Sequence, residues 1–145
     1  MTGGTIVCGV GRSRGARDAL QVAGALSERL GLRLVVAHVA PDRVRARSGE
    51  DLIGEMAAVA AVREPPDQRV AIGDRALGLA EIAAEEGADL IVIGSPSGRR
   101  NKFRRRGALE RELESATSCP VVVAPRQTRR RSELRLVRAP AIGAS

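Results

Sequence analysis

Residues 73–95, GDRALGLAEIAAEEGADLIVIGS, predict a helix that is followed directly by a strand. Asp74 suits the N-cap of a helix over RALGLAEIAAEE, because its side chain can accept a hydrogen bond from a free amide at the helix start. Gly87 provides the stop, and the apolar run at 89–93 predicts a short strand. A helix that leads into a buried strand is one unit of an α/β fold.

The rest of the chain repeats this alternation of strands and helices. In chain order, the pattern predicts strands at 5–10, 33–39, 68–72, 89–93 and 121–124, and helices at 16–30, 43–63, 75–86 and 108–117, the second of these helices being weakly patterned. The strand at 33–39 is almost entirely apolar, as expected when both faces of a sheet are covered. We therefore predict an α/β fold with a single domain at 1–126, an open parallel sheet and helices on both faces. The Arg-rich segment 127–145 is expected to be a flexible tail.

Two glycine-rich loops follow predicted strands, at 9–15 and at 94–98. If the strand order is 3-2-1-4-5, the first and fourth strands are neighbours where the order reverses. Ligands of open α/β sheets bind beyond the carboxyl ends of the strands at such a point. The two loops would then face each other across one cleft.

The charge of the chain is concentrated in two segments. Residues 99–106 contribute +6 and residues 126–138 contribute +5 to a net charge of +7, so the remainder of the 145 residues is mildly acidic. Such segments attract anions locally. Nucleic-acid binding is disfavoured, because Phe103 is the one aromatic residue of the chain and provides no base-stacking platform.

The composition favours a soluble protein of the cytoplasm. No apolar run approaches the roughly 20 residues that span a bilayer, and MTGGTIVCGV does not have the pattern of a secretory signal. Cys8 and Cys119 have no metal-ligand spacing and are expected to be free thiols in a reducing compartment.

The known catalytic patterns fit poorly. GVGRSRG at 9–15 is one residue too long for the dinucleotide fingerprint, and GSPSG at 94–98 has Pro96 where a nucleophilic serine would stand. His38 lies in an apolar strand and is expected to be a hydrogen-bonded core residue. Capping at loop or helix starts is expected to explain Asp42, Asp74 and Asp89. We predict no catalytic or metal-ligating residues and a protein that is not an enzyme.

The segment 94–108, GSPSGRRNKFRRRGA, is the best candidate for a binding site. Glycine at a strand end lets backbone amides approach phosphate oxygens, and the start of the following helix adds partial positive charge. A solvated basic loop is the alternative, and the residues alone leave both interpretations open.

Three blocks of the sequence carry a resemblance to a known family. They are 6–39, IVCGVGRSRGARDALQVAGALSERLGLRLVVAHV; 73–95; and 118–125, SCPVVVAP. In this order and at these distances they resemble the universal stress protein family. The resemblance implies an adenine nucleotide α-hydrolase-like fold with strand order 3-2-1-4-5 and a homodimer through the last strand, Val121 to Ala124.

The nucleotide-binding branch of that family carries G-x2-G-x9-G-[S/T] at this loop. Gly94 and Gly107 match its first and third positions, whereas Ser97 stands at the second, with Gly98 one place late, and Ala108 at the fourth. Gly11 stands where the branch has an aspartate near the adenosine. The nucleotide-contacting positions implied by the resemblance are Val10, Gly11, Val39, Ile93, Gly94, Ser95, Ser97, Gly98, Gly107, Ala108 and Leu109.

Two functions follow from this resemblance. One is a non-enzymatic stress-response regulator that binds ATP, with Mg²⁺, at an altered and weakened site. The other is the same fold without a nucleotide, which acts as a dimeric protein-interaction module. Gly94, Gly107 and the arginines of the loop favour the first, and Gly11, Ser97 and Ala108 favour the second.

Overall fold

The computed structural model describes residues 3–11, 14–59, 66–95 and 108–126. Within them, strands and helices alternate as β1 (Thr5–Gly9), α1 (Arg14–Leu30), β2 (Arg33–Ala40), α2 (Arg43–Arg47), α3 (Gly49–Val59), β3 (Asp67–Ile72), α4 (Arg75–Glu86), β4 (Leu90–Gly94), α5 (Ala108–Ala116) and β5 (Val121–Ala124). The predicted alternation is confirmed, and most predicted bounds lie within two residues of the observed ones. The predicted tail at 127–145 lies outside the described residues.

The five strands form one parallel sheet in the order β3-β2-β1-β4-β5. β1 lies at the centre and pairs with β2 on one side and with β4 on the other. The predicted strand order is therefore confirmed. Because the chain passes from β1 outward to β3 and then crosses to β4, the order reverses between β1 and β4.

Two apolar layers cover the sheet. Alternate side chains of β1 point to opposite faces, so Ile6 and Cys8 pack with α1 and α3, whereas Val7 packs with α4 and α5. The helices contribute Ala16, Ala19, Leu20, Ala23 and Ile53 to the first layer and Leu79, Ile82, Ala83 and Leu113 to the second. Burial of each larger aliphatic side chain contributes about 1.5–3 kcal/mol. This two-sided burial explains why β1, β2 and β4 are nearly continuous apolar runs.

The predicted signals at both ends of α4 are confirmed. The Asp74 carboxylate accepts a hydrogen bond from the Leu77 amide at 3.0 Å. Gly87 ends the helix in the left-handed region, with φ of 62°, where a side chain would be strained. Gly31 has φ of 67° directly after α1, so it ends that helix in the same way.

The prediction of one helix at 43–63 is wrong, because two helices, α2 and α3, occupy the described part of it at 43–59. Asp42 caps α2 by accepting a hydrogen bond from the Arg45 amide at 2.9 Å. Ser48 ends it and donates its hydroxyl to the Arg45 carbonyl at 3.1 Å. These bonds between side chain and backbone compete with continuous helix. Gly49 then begins α3, where a Cβ would lie 3.0 Å from the His38 ring.

The expectation that capping explains Asp89 is also wrong. Its carboxylate accepts a hydrogen bond from the Thr5 amide at 2.9 Å and so joins the start of β1 to the residue before β4. The prediction failed because this bond spans 84 residues of sequence. A local pattern cannot report such a contact.

The amino edge of the sheet carries a network of ion pairs. The Arg33 Nη1 lies 2.8 Å from the Glu86 Oε1, and the Arg69 Nη1 lies 2.5 Å from the Glu86 Oε2. Arg33 also pairs with Asp67 at 2.7 Å, and Arg69 pairs with Glu85. Hydrogen bonds from Arg69 and then from Arg33 lower the pKa of Glu86 below its usual value. Both arginines of this edge are therefore neutralised by carboxylates.

No helix in the described part of the chain is long and apolar enough to cross a membrane.

Candidate functional site

The candidate site lies at the carboxyl edge of the sheet, defined as the ends of the five strands and the residues that directly follow them. Gly9 pairs with Ala37, and Cys8 pairs with Val92. Continuation of this parallel register puts Gly11 level with Val39 and Ser95 on the neighbouring strands. Each helix that directly follows a strand begins at this edge, so α1, α2, α4 and α5 all start there. The fold therefore collects four helix starts and the central strand ends in one region.

Both backbone polar groups of Val10 form hydrogen bonds to residues of β2. Its amide donates to the Ala37 carbonyl at 2.8 Å, and its carbonyl oxygen lies 2.9 Å from the His38 Nδ1. Because a carbonyl can only accept, the imidazole Nδ1 is the donor of this bond. His38 is 7% exposed, so the prediction of a hydrogen-bonded core histidine is confirmed. Its role is to hold the end of β1 in position.

Helix α1 and strand β4 touch through two glycines. A Cβ on Gly94 would lie 2.2 Å from the carbonyl oxygen of Gly15, and a Cβ on Gly15 would lie 2.5 Å from the carbonyl oxygen of Ser95. Neither position accepts a side chain without separation of the two backbones. Packing is therefore sufficient to explain Gly94, which the resemblance had assigned to phosphate contact. The same packing brings the first turn of α1 against the start of the loop that follows β4.

The Ser95 hydroxyl is already engaged in the structure. It donates to the Ala124 carbonyl at 2.6 Å and joins the end of β4 to the end of β5. A hydroxyl that donates to the protein can still accept a hydrogen bond. Ser95 therefore has a structural role whether or not a ligand is bound.

Val39 and Ile93 belong to the apolar layer beneath α4. Val39 is 9% exposed and Ile93 is 2% exposed. A Cβ on Gly78 of α4 would lie 2.8 Å from a methyl carbon of Val39. These two side chains are buried beneath the carboxyl edge and are not themselves open to a ligand.

The remaining predicted positions divide into two sets. Ala108 and Leu109 begin α5 and are half-buried, and Leu109 packs against the apolar layer that contains Leu113. Ser97, Gly98 and Gly107 lie outside the described residues, as do the six cations of 99–106. The ligand contacts of all eleven predicted positions therefore remain predictions.

Arg75 was not among the predicted site residues. It is the first residue of α4, and its guanidinium lies against Gly11: a Cβ on Gly11 would be 3.3 Å from Nη2 and 3.7 Å from Cζ. A signal for it existed in the sequence, because a cation in the first turn of a helix opposes the helix dipole. Positions that break such a local rule are often functional.

Neither a cluster of metal ligands nor an ionised Cys8 thiol occurs among the described residues. No three His, Cys, Asp or Glu side chains in the described part of the chain could together hold a metal ion. Burial raises the pKa of the Cys8 thiol to about 12, so this thiol is protonated at neutral pH and is a poor nucleophile. Cys8 and Cys119 are both free, as predicted.

The sequence model that describes the universal stress protein family matches residues 4–125. The chain belongs to the universal stress protein family. The predicted family is therefore confirmed over almost the whole predicted domain. Among curated proteins, none matches this sequence.

Solved universal stress proteins have the same fold. One from Archaeoglobus fulgidus, in complex with dAMP, is 20% identical with a TM-score of 0.65 over 86% of this chain and 100% of its own. Another, in complex with cAMP, is 21% identical with a TM-score of 0.68 over 85% of this chain and 97% of its own. UspA from Lactobacillus plantarum is 16% identical with a TM-score of 0.68 over 86% of this chain and 100% of its own.

Proposed function

We propose that this universal stress protein binds an adenine nucleotide, ATP with Mg²⁺, at the carboxyl edge and acts as a non-enzymatic stress-response regulator in the cytoplasm. The ligand would lie over the ends of β1 and β4, where the predicted binding loop begins. Two structural relatives were solved with adenine nucleotides, dAMP and cAMP. Adenine is therefore the first base to test.

The contact between Gly15 and Gly94 carries the proposal. It holds the first turn of α1 against Ser95, the residue at which the loop begins. The first amides of a helix have no partner within the helix and attract anions. Helix α5 begins at Ala108, directly after the same loop. The loop is thus flanked by two helix starts, an arrangement suited to a chain of phosphates.

The site is expected to be weak, because two polar groups are missing. Ala108 has no hydroxyl to donate to a phosphate, and Gly11 has no carboxylate to accept from a ribose or adenine. One charge-assisted hydrogen bond contributes roughly 1.5–3 kcal/mol. Loss of two such bonds weakens binding by about two to four decades, since ~1.4 kcal/mol is a factor of ten. We expect millimolar rather than micromolar affinity for ATP.

Calorimetric titration with Mg²⁺-ATP at near-physiological salt tests the proposal. We expect saturable binding and an increase in thermal stability as the ATP concentration rises through the millimolar range. Absence of both heat and a thermal shift would contradict it. Ala108→Ser should tighten binding by about tenfold by restoring one hydroxyl.

The variant Gly107→Val separates loop-mediated binding from nonspecific attraction by the arginines, because valine blocks the approach of the backbone to phosphate. We expect it to abolish binding. Gly54→Val is the matched control: Gly54 is exposed on α3, and a Cβ there meets nothing within 4 Å. Unchanged affinity in Gly107→Val would show that the arginines attract the anion without the loop.

We further propose that the protein is a homodimer through β5. This strand lies at an end of the sheet, with one side unpaired among the described strands, and Val121, Val122 and Val123 are half-buried. Pairing of two such edges would complete the hydrogen bonds and cover the valines. Sedimentation equilibrium should give twice the chain mass of 15.3 kDa. A monomer at about 100 μM, a concentration that populates dimers of modest affinity, would contradict the dimer.

A further inference from the structure

Strand β3 is the least buried strand of the sheet. None of its six residues is fully buried, whereas all five residues of β1 and seven of the eight residues of β2 are. It lies at an end of the sheet and pairs, among the described strands, with β2 alone. Burial of apolar side chains is the main stabilising contribution in a core, so β3 gains little from it. Contacts of another kind are therefore expected to hold β3 on the sheet.

The carboxyl end of β3 is held by the backbone. After Ile72 the chain turns directly into α4, which begins at Arg75. The Gly73 amide in this turn donates to the Ala40 carbonyl at the end of β2, at 2.8 Å. A main-chain hydrogen bond and the continuity of the chain thus fix this end of the strand. Neither depends on the charge of a side chain.

The amino end of β3 is held by charged side chains. Asp67 pairs with Arg33 of β2 at 2.7 Å. Arg69 pairs with Glu86 at the end of α4, at 2.5 Å, and also with Glu85. The fourth pair joins Arg33 to Glu86 at 2.8 Å. Three of these four ion pairs therefore connect the first half of β3 to neighbouring elements, and the fourth connects those two elements to each other.

Glu86 is the centre of this network. Its two carboxylate oxygens face one arginine each, and its side chain is 15% exposed. The end of α4 is fixed independently of these pairs, because the Asp89 amide donates to the Thr5 carbonyl of β1 at 2.8 Å. Loss of one charge from a partly buried network leaves its partners uncompensated. Loss of the Glu86 charge is therefore expected to loosen β3 and not α4.

Acid removes this charge. Hydrogen bonds from Arg69 and then from Arg33 lower the pKa of Glu86 from the usual 4.5. The contribution of the pairs is thus complete above pH 4.5 and is lost as the pH falls through the lowered value. The other carboxylates of the network, Asp67 and Glu85, pair with the same two arginines. The arginines stay charged in acid, so protonation of the carboxylates leaves two cations close together.

We propose that these four ion pairs form an acid-sensitive latch on an edge strand: acidification frees the first half of β3, residues 67–69, while the rest of the sheet stays folded. Opening of the latch uncovers the part of the outer edge of β2 that pairs with these residues in the closed state. An uncovered edge of this kind can pair with another extended chain. The latch lies at the amino edge and acts independently of nucleotide binding at the carboxyl edge.

Native-state hydrogen exchange of the full chain, resolved by residue with NMR in low concentrations of urea, tests the latch. An opening confined to residues 67–69 exposes little surface, so exchange of their protected amides should depend only weakly on urea. Amides of β1 should exchange by global unfolding and depend strongly on urea. Between pH 7 and pH 3.5, the protection factors at 67–69 should fall by about fivefold.

Glu86→Gln removes the central charge at neutral pH. We expect it to lower the protection of residues 67–69 by about fivefold at pH 7 and to abolish most of the further loss in acid. Glu81→Gln is the matched control, because Glu81 is exposed on the same helix and its loss changes the net charge equally. Arg69→Gln is a second variant that breaks the pairs from the strand side, and it should give the same loss.

Two results would overturn the latch. One is exchange at 67–69 with the same urea dependence as in β1 at both pH values, which would mean that β3 opens only when the whole domain unfolds. The other is protection at 67–69 that changes neither with pH nor in Glu86→Gln and Arg69→Gln.

Discussion

Replacement of Gly94 by alanine would put a methyl carbon 2.2 Å from the carbonyl oxygen of Gly15 and 2.8 Å from its Cα. Non-bonded heavy atoms attract best at about 3.5–4.0 Å. The overlap is therefore about 1 Å. The opposing atoms are backbone atoms in the first turn of α1, so rotation of a side chain cannot relieve it. Helix α1 and strand β4 must move apart.

The separation disturbs a central contact of the core. Helix α1 packs Leu20 and Ala23 into the same apolar layer as Val92 of β4. Overpacking of this kind costs about 1–3 kcal/mol, and we expect the upper end because both elements are rigid. A loss of about 3 kcal/mol is a large part of the 5–15 kcal/mol that stabilises an ordinary domain. The melting temperature should fall by about 10 °C.

Urea denaturation followed by far-UV circular dichroism measures this loss. The matched control is Gly54→Ala, because Gly54 lies within α3 and a Cβ there meets nothing within 4 Å. Alanine at an open helical position should stabilise the protein by about 0.4–1 kcal/mol. The same substitution is thus expected to have opposite signs at the two positions.

The reasoning would be refuted if Gly94→Ala had a free energy of unfolding within about 0.5 kcal/mol of the wild type, the range of ordinary surface substitutions. Such a result would mean that α1 and β4 do not approach as closely as described. If the loss is observed, reduced nucleotide binding in Gly94 variants cannot be assigned to lost phosphate contact. Gly107 and Ala108 are then the better positions at which to test the loop.

Three further predictions concern ionisable groups. Because its arginine partners lower the pKa of Glu86 from the usual 4.5, its contribution is present above pH 4.5 and is lost on further acidification. The free energy of unfolding measured in urea should therefore fall more steeply below pH 4.5 for the wild type than for Glu86→Gln, by about 1 kcal/mol. Cys8, whose pKa burial raises to about 12, should be alkylated only on unfolding, whereas half-buried Cys119 should react first, as mass spectrometry can follow. His38→Phe leaves the Val10 carbonyl without its partner and should cost about 1–3 kcal/mol in urea denaturation.

Local signals in the sequence predicted most of the fold. Asp74 and Gly87 bound α4 as expected, because caps depend on residues within one turn. The segment 43–63 was predicted less well, since a weak apolar period does not reveal a break. At the break, the Ser48 hydroxyl donates to the Arg45 carbonyl, while Asp42 accepts from the Arg45 amide at the start of α2. Such competition between caps and continuous helix is hard to weigh from pattern alone.

The candidate site was predicted in outline. The family pattern located the loop after β4, and the observed strand order brings this loop beside β1. The interpretation of Gly94 changed, because its contact with Gly15 depends on two segments 79 positions apart. Arg75 stood out only as a cation in the first turn of a helix, and its contact with Gly11 joins two segments 64 positions apart.

Periodicity, caps and ordered family blocks were sufficient for the α/β class, the strand order and the family, because these depend on patterns that repeat along the chain. Tertiary structure was needed to show that Gly94 packs on Gly15 and that the Arg75 guanidinium lies beside Gly11. Both properties depend on distances between segments that are remote in sequence, and only folding sets those distances. Two contacts change how the carboxyl edge is understood: α1 packs on β4, and Arg75 packs on Gly11.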